Sequence, residues 1–122
     1  ISNLMMHGQG TYKYKNGDKY VGQWVEDKKQ GKGRFFYHDG EFYDGEWDNN
    51  KKNGYGAYYY LGGERYVGQW HNNSKWGRGT LYYNNFSEFQ GFWVQNKKSG
   101  KGTFTDQGGN VTQEEWKMGS LI

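Results

Sequence analysis

The chain has 122 residues, of which 33% are hydrophobic and 20% aromatic, with 21 glycines, no proline, no cysteine and a formal net charge of +3. So many aromatics argue against disorder, the missing proline and Gly-X-Y period exclude collagen, and no apolar run approaches the roughly 18 residues of a membrane helix. Without cysteine there are no disulfides and no thiolate metal ligands, and so small a net charge supports weak attraction to acidic surfaces and no more. The opening Ile1-Ser2-Asn3-Leu4-Met5-Met6 lacks the basic flank and apolar stretch of a secretory leader and reads as the start of a piece of a longer chain.

Tryptophan sets a period. Trp24, Trp47, Trp70, Trp93 and Trp116 follow one another at intervals of 23, with Trp76 outside the series. The chain opens with a partial unit, 7–19, holding Gly8, Gly10 and an Asn16-Gly17 turn. Four full units follow, 20–42, 43–65, 66–88 and 89–111, and a degenerate cap, 112–122, ends the series. In the first full unit the predicted first strand is Tyr20-Val21-Gly22-Gln23-Trp24-Val25. A polar connection runs from Glu26 to Lys32, and the second strand is Gly33-Arg34-Phe35-Phe36-Tyr37. The Asp-Gly of His38-Asp39-Gly40-Glu41 predicts a tight turn into the next unit. The same register repeats without insertion. Phe86 breaks the turn-glycine column of Gly17, Gly40, Gly63 and Gly109, and Thr112 and Glu114 replace the aromatic and glycine of the last unit. Glycine is too frequent, and a 3.6-residue period too scarce, for helices. The one candidate helix is Gln113–Met118, capped by Thr112 with Glu115 at the third position.

Strand alternation sorts the columns onto faces. Tyr20, Gly22 and Trp24 share one face with Phe35 and Tyr37; Val21, Gln23 and Val25 share the other. Glycine beside the Trp column is expected to leave room for an indole lying flat on the backbone. The Trp column reads as core. The column of Tyr20, Tyr43, Tyr66 and Phe89 fits either packing or partner contact. A lone hairpin cannot bury its apolar face, whereas stacked hairpins bury side chains between neighbours. The expected fold is therefore all-β: an elongated single-layer antiparallel sheet of stacked β-hairpins. About ten strands at about 4.8 Å spacing make a rod about 45 Å long.

The pattern Tyr-x-Gly-x-Trp, polar connection, Gly-x-Gly, aromatics and Asp-Gly, repeated from about His7 to Trp116, resembles the MORN repeat (membrane occupation and recognition nexus). The resemblance implies a twisted single-layer sheet with an aromatic groove. It also implies a scaffold role in ciliary, flagellar or cytoskeletal assemblies, with helical peptides or membranes as partners. The alternatives it leaves are an adaptor on anionic lipid and an accessory domain of a larger enzyme such as a phosphoinositide kinase.

Catalysis is not expected. His7, His38 and His71 are not spaced as metal ligands, the carboxylates lack a burying context, and Gly-x-Gly has no following Lys-Ser/Thr to hold phosphate. No cofactor and no nucleic acid is expected. The expected partner-binding line is Tyr20, Tyr43, Tyr66 and Phe89, with Tyr37, Tyr60 and Tyr83 as a second line. Trp76 is expected in a loop. The long loops carry Lys28, Lys29, Lys51, Lys52, Lys97, Lys98 and Lys101, a candidate edge for anionic lipid worth roughly 1 kcal/mol per lysine.

Overall fold

The computed structural model describes residues 5–122; the start of the opening segment, residues 1–4, lies outside them. Its strands are β1 (Gly8–Lys13), β2 (Lys19–Val25), β3 (Lys28–Phe36), β4 (Phe42–Asp48), β5 (Lys51–Tyr59) and β6 (Arg65–His71). After them come β7 (Ser74–Tyr82), β8 (Glu88–Val94), β9 (Lys97–Lys98), β10 (Gly100–Thr105), β11 (Val111–Lys117) and β12 (Ser120–Leu121). All are antiparallel and lie in one sheet in chain order, with β9 beside β8. The fold is all-β, and among the described residues no second layer covers either face. The candidate helix at Gln113–Met118 is not formed: β11 occupies that segment and pairs with β10 from Gly100↔Trp116 to Thr105↔Val111. A strand continues the sheet and satisfies its backbone groups, which a one-turn helix at a sheet end would not do.

Two kinds of turn alternate. The connection expected from Glu26 to Lys32 is in fact a two-residue turn, Glu26-Asp27, with β3 starting at Lys28. Both turn residues have positive φ, 50° and 66°, and the pattern recurs at Asn49-Asn50, Asn72-Asn73 and Gln95-Asn96. Such turns match strand twist, and asparagine tolerates the left-handed region better than most residues. The Asn50 side-chain oxygen also accepts from the Lys29 amide at 2.8 Å, while the Asn50 amide donates to the Lys29 carbonyl at 3.0 Å. Each asparagine thus ties one turn to the unit before it.

At the opposite edge a three-residue loop closes each link. The Gly40 amide donates to the Tyr37 carbonyl at 3.1 Å and Tyr37 to Glu41 at 2.9 Å, with Gly40 at φ 102°. Phe86 holds the same position at φ 69° and is 90% exposed. A left-handed conformation costs an L-residue with a Cβ about 1–2 kcal/mol, and this side chain gains no burial in return. Phe86→Gly is therefore expected to raise stability by about 1 kcal/mol, measured as a higher urea midpoint at unchanged slope. A lower midpoint would contradict this.

A bulge follows each two-residue turn. Gly22 pairs with Gly33 but Trp24 with Lys29, so Gln30, Gly31 and Lys32 face Gln23 alone. The Gln23 Oε1 fills the gap by accepting from the Lys32 amide at 2.8 Å, as Glu46 does from Tyr55 and Gln69 from Arg78. Phe92 has no side-chain acceptor. There the Ser99 amide bonds the Phe92 carbonyl at 2.9 Å and the strand divides into β9 and β10.

The core lies on one face. Tyr20, Tyr43, Tyr66 and Phe89 have no exposed surface, and Trp24, Trp47, Trp70 and Trp93 retain 4–6%. Each ring wedges edge-on between two indoles: Tyr43 stands 5.2 Å from both Trp47 and Trp70, near perpendicular to each. The Tyr43 hydroxyl donates to the Glu46 carbonyl at 2.9 Å, and the Trp47 indole N–H donates to the Gly33 carbonyl at 3.1 Å. The ring that covers the glycines is the tyrosine, not the expected indole: a Cβ on Gly56 would overlap Tyr43. Trp116 is half-buried, and its indole N–H donates to the Glu114 carboxylate at 2.9 Å.

A candidate polypeptide-binding groove

Above the buried rings lies a second layer on the same face. Tyr14, Phe35, Tyr58, Tyr60, Leu81, Tyr83 and Phe104 pack on the core while keeping part of their surface in solvent. Tyr37 belongs with them, 4.7 Å from Phe35 and 5.7 Å from Tyr58. The layer follows from alternation: a residue two positions beyond Phe35 or Tyr58 must return to the same face. Glu41 anchors part of it, accepting from the Tyr58 hydroxyl at 2.7 Å and the Leu61 amide at 3.0 Å.

The expected contact line of Tyr20, Tyr43, Tyr66 and Phe89 is wholly buried. Tyr20, Tyr43, Tyr66 and Phe89 offer no surface to a partner, because each ring is enclosed between indoles and lies on facing glycines. Burial pushes the Tyr20 hydroxyl up to about 12 and raises those of Tyr43 and Tyr66 further. Tyr37, Tyr60 and Tyr83 are half-buried and belong to this second layer. Burial lifts the Tyr37 and Tyr60 hydroxyls to about 12, so both stay protonated at neutral pH.

The lysines do not form one edge. They sit on strands, and adjacent members of each pair point to opposite faces. Lys28, Lys51 and Lys97 are exposed on the reverse side, as is Lys101 opposite Glu115. Lys29, Lys52, Lys75 and Lys98 turn to the other face, over the aromatic rings. Lys29 Nζ lies 5.3–5.9 Å from the rings of Tyr14, Tyr20, Phe35 and Trp47. Lys52 stands over Tyr37, Tyr43, Tyr58 and Trp70 at 5.6–5.8 Å. Lys75 and Lys98 donate to the Tyr60 and Tyr83 hydroxyls at 2.6 Å. Loss of hydration lowers the pKa of Lys29 and Lys75. It takes Lys52 down to about 8, with the charge of Lys29 adding to the effect. The signal that would have found these cages is the Trp-to-Lys spacing of five, which places the lysine opposite the indole once the turn is two residues long.

The reverse face also carries aromatics that the column reading passed over. Phe36, Phe42 and Tyr59 stack in a row, the last two at 4.3 Å, while Arg65 lies over Tyr82 at 4.0 Å and Arg78 over Phe92 at 4.7 Å. Trp76 is on β7 rather than in a loop, 39% exposed and edge-on to His71. Among the described residues no group of three or more His, Asp or Glu side chains is placed to hold a metal ion, and no helix is long and apolar enough to cross a membrane.

The MORN repeat family model matches residues 5–19, 20–42, 43–65, 66–88 and 89–111, five consecutive copies. The chain belongs to the MORN-repeat family. The second to fifth matches begin at Tyr20, Tyr43, Tyr66 and Phe89, and the first begins at Met5, two residues before the expected partial unit 7–19. No curated protein matches the chain. MORN repeats are generally modules of protein or membrane interaction, and their repeat fold is typically non-catalytic.

Proposed function

We propose that this MORN array is a non-catalytic scaffold that holds a segment of a partner polypeptide along the groove floored by Tyr37, Tyr60 and Tyr83, in a ciliary, flagellar or cytoskeletal assembly. One observation carries the reading: a layer of half-buried, mostly aromatic side chains sits on the buried core, and among the described residues nothing covers it. Tyrosine suits such a floor, since its ring gives rigid apolar area and its hydroxyl tolerates water. Capture from the native source, with the bound segment mapped by cross-linking from position 60, tests the reading. Tyr60→Ser with Tyr83→Ser, in a protein whose circular dichroism is unchanged, is expected to weaken capture at least tenfold. Unchanged affinity would reject the groove.

Membrane contact is the competing reading, supported by the recurrence of exposed Lys28, Lys51 and Lys97 along one turn edge. Glu26, Asp27 and Asp48 stand beside them and dilute the charge. Such contact would be electrostatic and screened by salt. Lys51→Glu with Lys97→Glu is expected to leave polypeptide capture intact and to abolish whatever weak binding to anionic liposomes the protein has. Salt-resistant liposome binding that survives the reversal would overturn that expectation.

A further inference from the structure

Each full repeat sends one lysine into the groove, and none of the four meets a carboxylate. Among the described residues the ion pairs are Arg34–Asp44 and His38–Asp18, both away from Lys29, Lys52, Lys75 and Lys98. Glu41, an acidic residue beside the aromatic layer, is taken by Tyr58 and Leu61. The ring faces attract the ammonium groups but leave their charge uncompensated. The Lys52 Nζ makes no hydrogen bond, yet among the described residues no buried side-chain nitrogen is without a partner, so this Nζ is still reached by solvent. Lys29 opens on a recess shared with Met6, Tyr12, Tyr14, Trp24, Asn50 and Asp27, whose carboxylate is engaged by the Met6 amide at 2.6 Å and forms no ion pair with the lysine.

Pitch selects the ligand. Equivalent side chains recur every two strands, about 9.6 Å along the sheet. On an α-helix, residues seven apart lie on one face about 10.5 Å apart. An extended strand has no equivalent: residues three apart span about 10 Å but point to opposite sides, while those two or four apart miss the spacing. We propose that the groove's occupant is an acidic helix whose carboxylates recur every seven residues, one to each of Lys29, Lys52, Lys75 and Lys98. This rests on the groove reading above and adds the partner's chemistry to it. Half-buried cations without an ion-pair partner are the counterpart that such carboxylates complete, since charge-assisted hydrogen bonds are stronger than neutral ones.

The test uses fluorescein-labelled helical peptides of about 24 residues with Glu at heptad spacing, the same peptide with Gln at those positions, and a third with the Glu residues five apart. Fluorescence anisotropy at low salt is read for the intact protein and for Lys52→Met with Lys75→Met. Methionine is chosen because Met6 holds the equivalent position in the first unit and packs on the core there. The heptad Glu peptide is expected to bind at least tenfold more tightly than the other two, and the double variant to lose that margin. Equal binding of the Glu and Gln peptides overturns the charge inference while leaving the groove reading in place. Binding of none of the peptides, with partner capture still dependent on Tyr60 and Tyr83, overturns the heptad helix alone. Loss of that tyrosine dependence as well removes the groove. Competition by phosphatidylserine vesicles that depends on Lys52 and Lys75 overturns the proposal in favour of lipid headgroups.

Discussion

Replacing Trp70 by alanine is expected to destabilise the domain by about 3–5 kcal/mol, the range for removing a large buried ring. Trp70 is 6% exposed and sits in the central part of the sheet. Its indole stands edge-on to Tyr43 at 5.2 Å and to Tyr66 at 5.3 Å, donates to the Gly56 carbonyl at 3.0 Å, and lies beneath Lys52 at 5.6 Å. Truncation therefore opens a cavity between two units and leaves the Gly56 carbonyl without that donor. In a repeat array each unit is stabilised chiefly by its neighbours, so a loss at this junction weakens both halves. Trp76→Ala is the internal comparison. Trp76 is substantially exposed and touches His71 at its edge, so its loss is expected to cost under about 1 kcal/mol. Urea melts of both variants decide the matter: equal, small shifts would show that the Trp column is not the spine of the fold.

The period made most of this architecture legible. Trp24, Trp47, Trp70 and Trp93 are the buried indoles, and the alternation that set Tyr37, Tyr60 and Tyr83 on the same face is the one observed. What the period did not reveal was depth. Tyr20 and Tyr37 occupy equivalent faces in sequence, and only the facing glycines, Gly22 with Gly33, decide that Tyr20 sinks onto the backbone while Tyr37 stays above it. The lysines were misplaced for a related reason. Glu26-Asp27 is an unusual pair for a turn with two positive φ values, so the connection reads as a long polar loop. Once the turn closes in two residues, Lys29 falls opposite Trp24 and its ammonium lies over rings. At the C-terminal end the loss of glycine at Glu114 was legible, and its consequence is the diverted bond of the Trp116 indole.

Gly79→Ala is expected to cost about 3 kcal/mol, the upper part of the range for overpacking a closed core. A methyl group at Gly79 would overlap the Tyr66 ring at its hydroxyl-bearing end. Elsewhere such a clash is relieved by a rotamer change, but Tyr66 is held at three points. Its hydroxyl donates to the Gln69 carbonyl at 2.9 Å, and its ring is wedged 5.3 Å from Trp70 and 5.4 Å from Trp93. The backbone cannot yield freely either, since Gly79 pairs with Gly68 on one side and Gly91 on the other. Tyr66→Phe separates the hydroxyl from the ring: it removes one hydrogen bond and should cost about 1 kcal/mol, because Phe89 shows that a ring without the hydroxyl fits the same place. Gly108→Ala is the control, since its Cβ would meet nothing nearer than 3.4 Å and its φ is not positive, so it should stay within about 0.5 kcal/mol of the parent. The near-ultraviolet circular dichroism of Gly79→Ala should also lose intensity, as Tyr66 drags two indoles with it. A Gly79→Ala protein that melts with the parent midpoint and keeps its aromatic signal would mean that the tyrosine ring does not need the glycine pair, and the account of why these units carry Gly-x-Gly would fail.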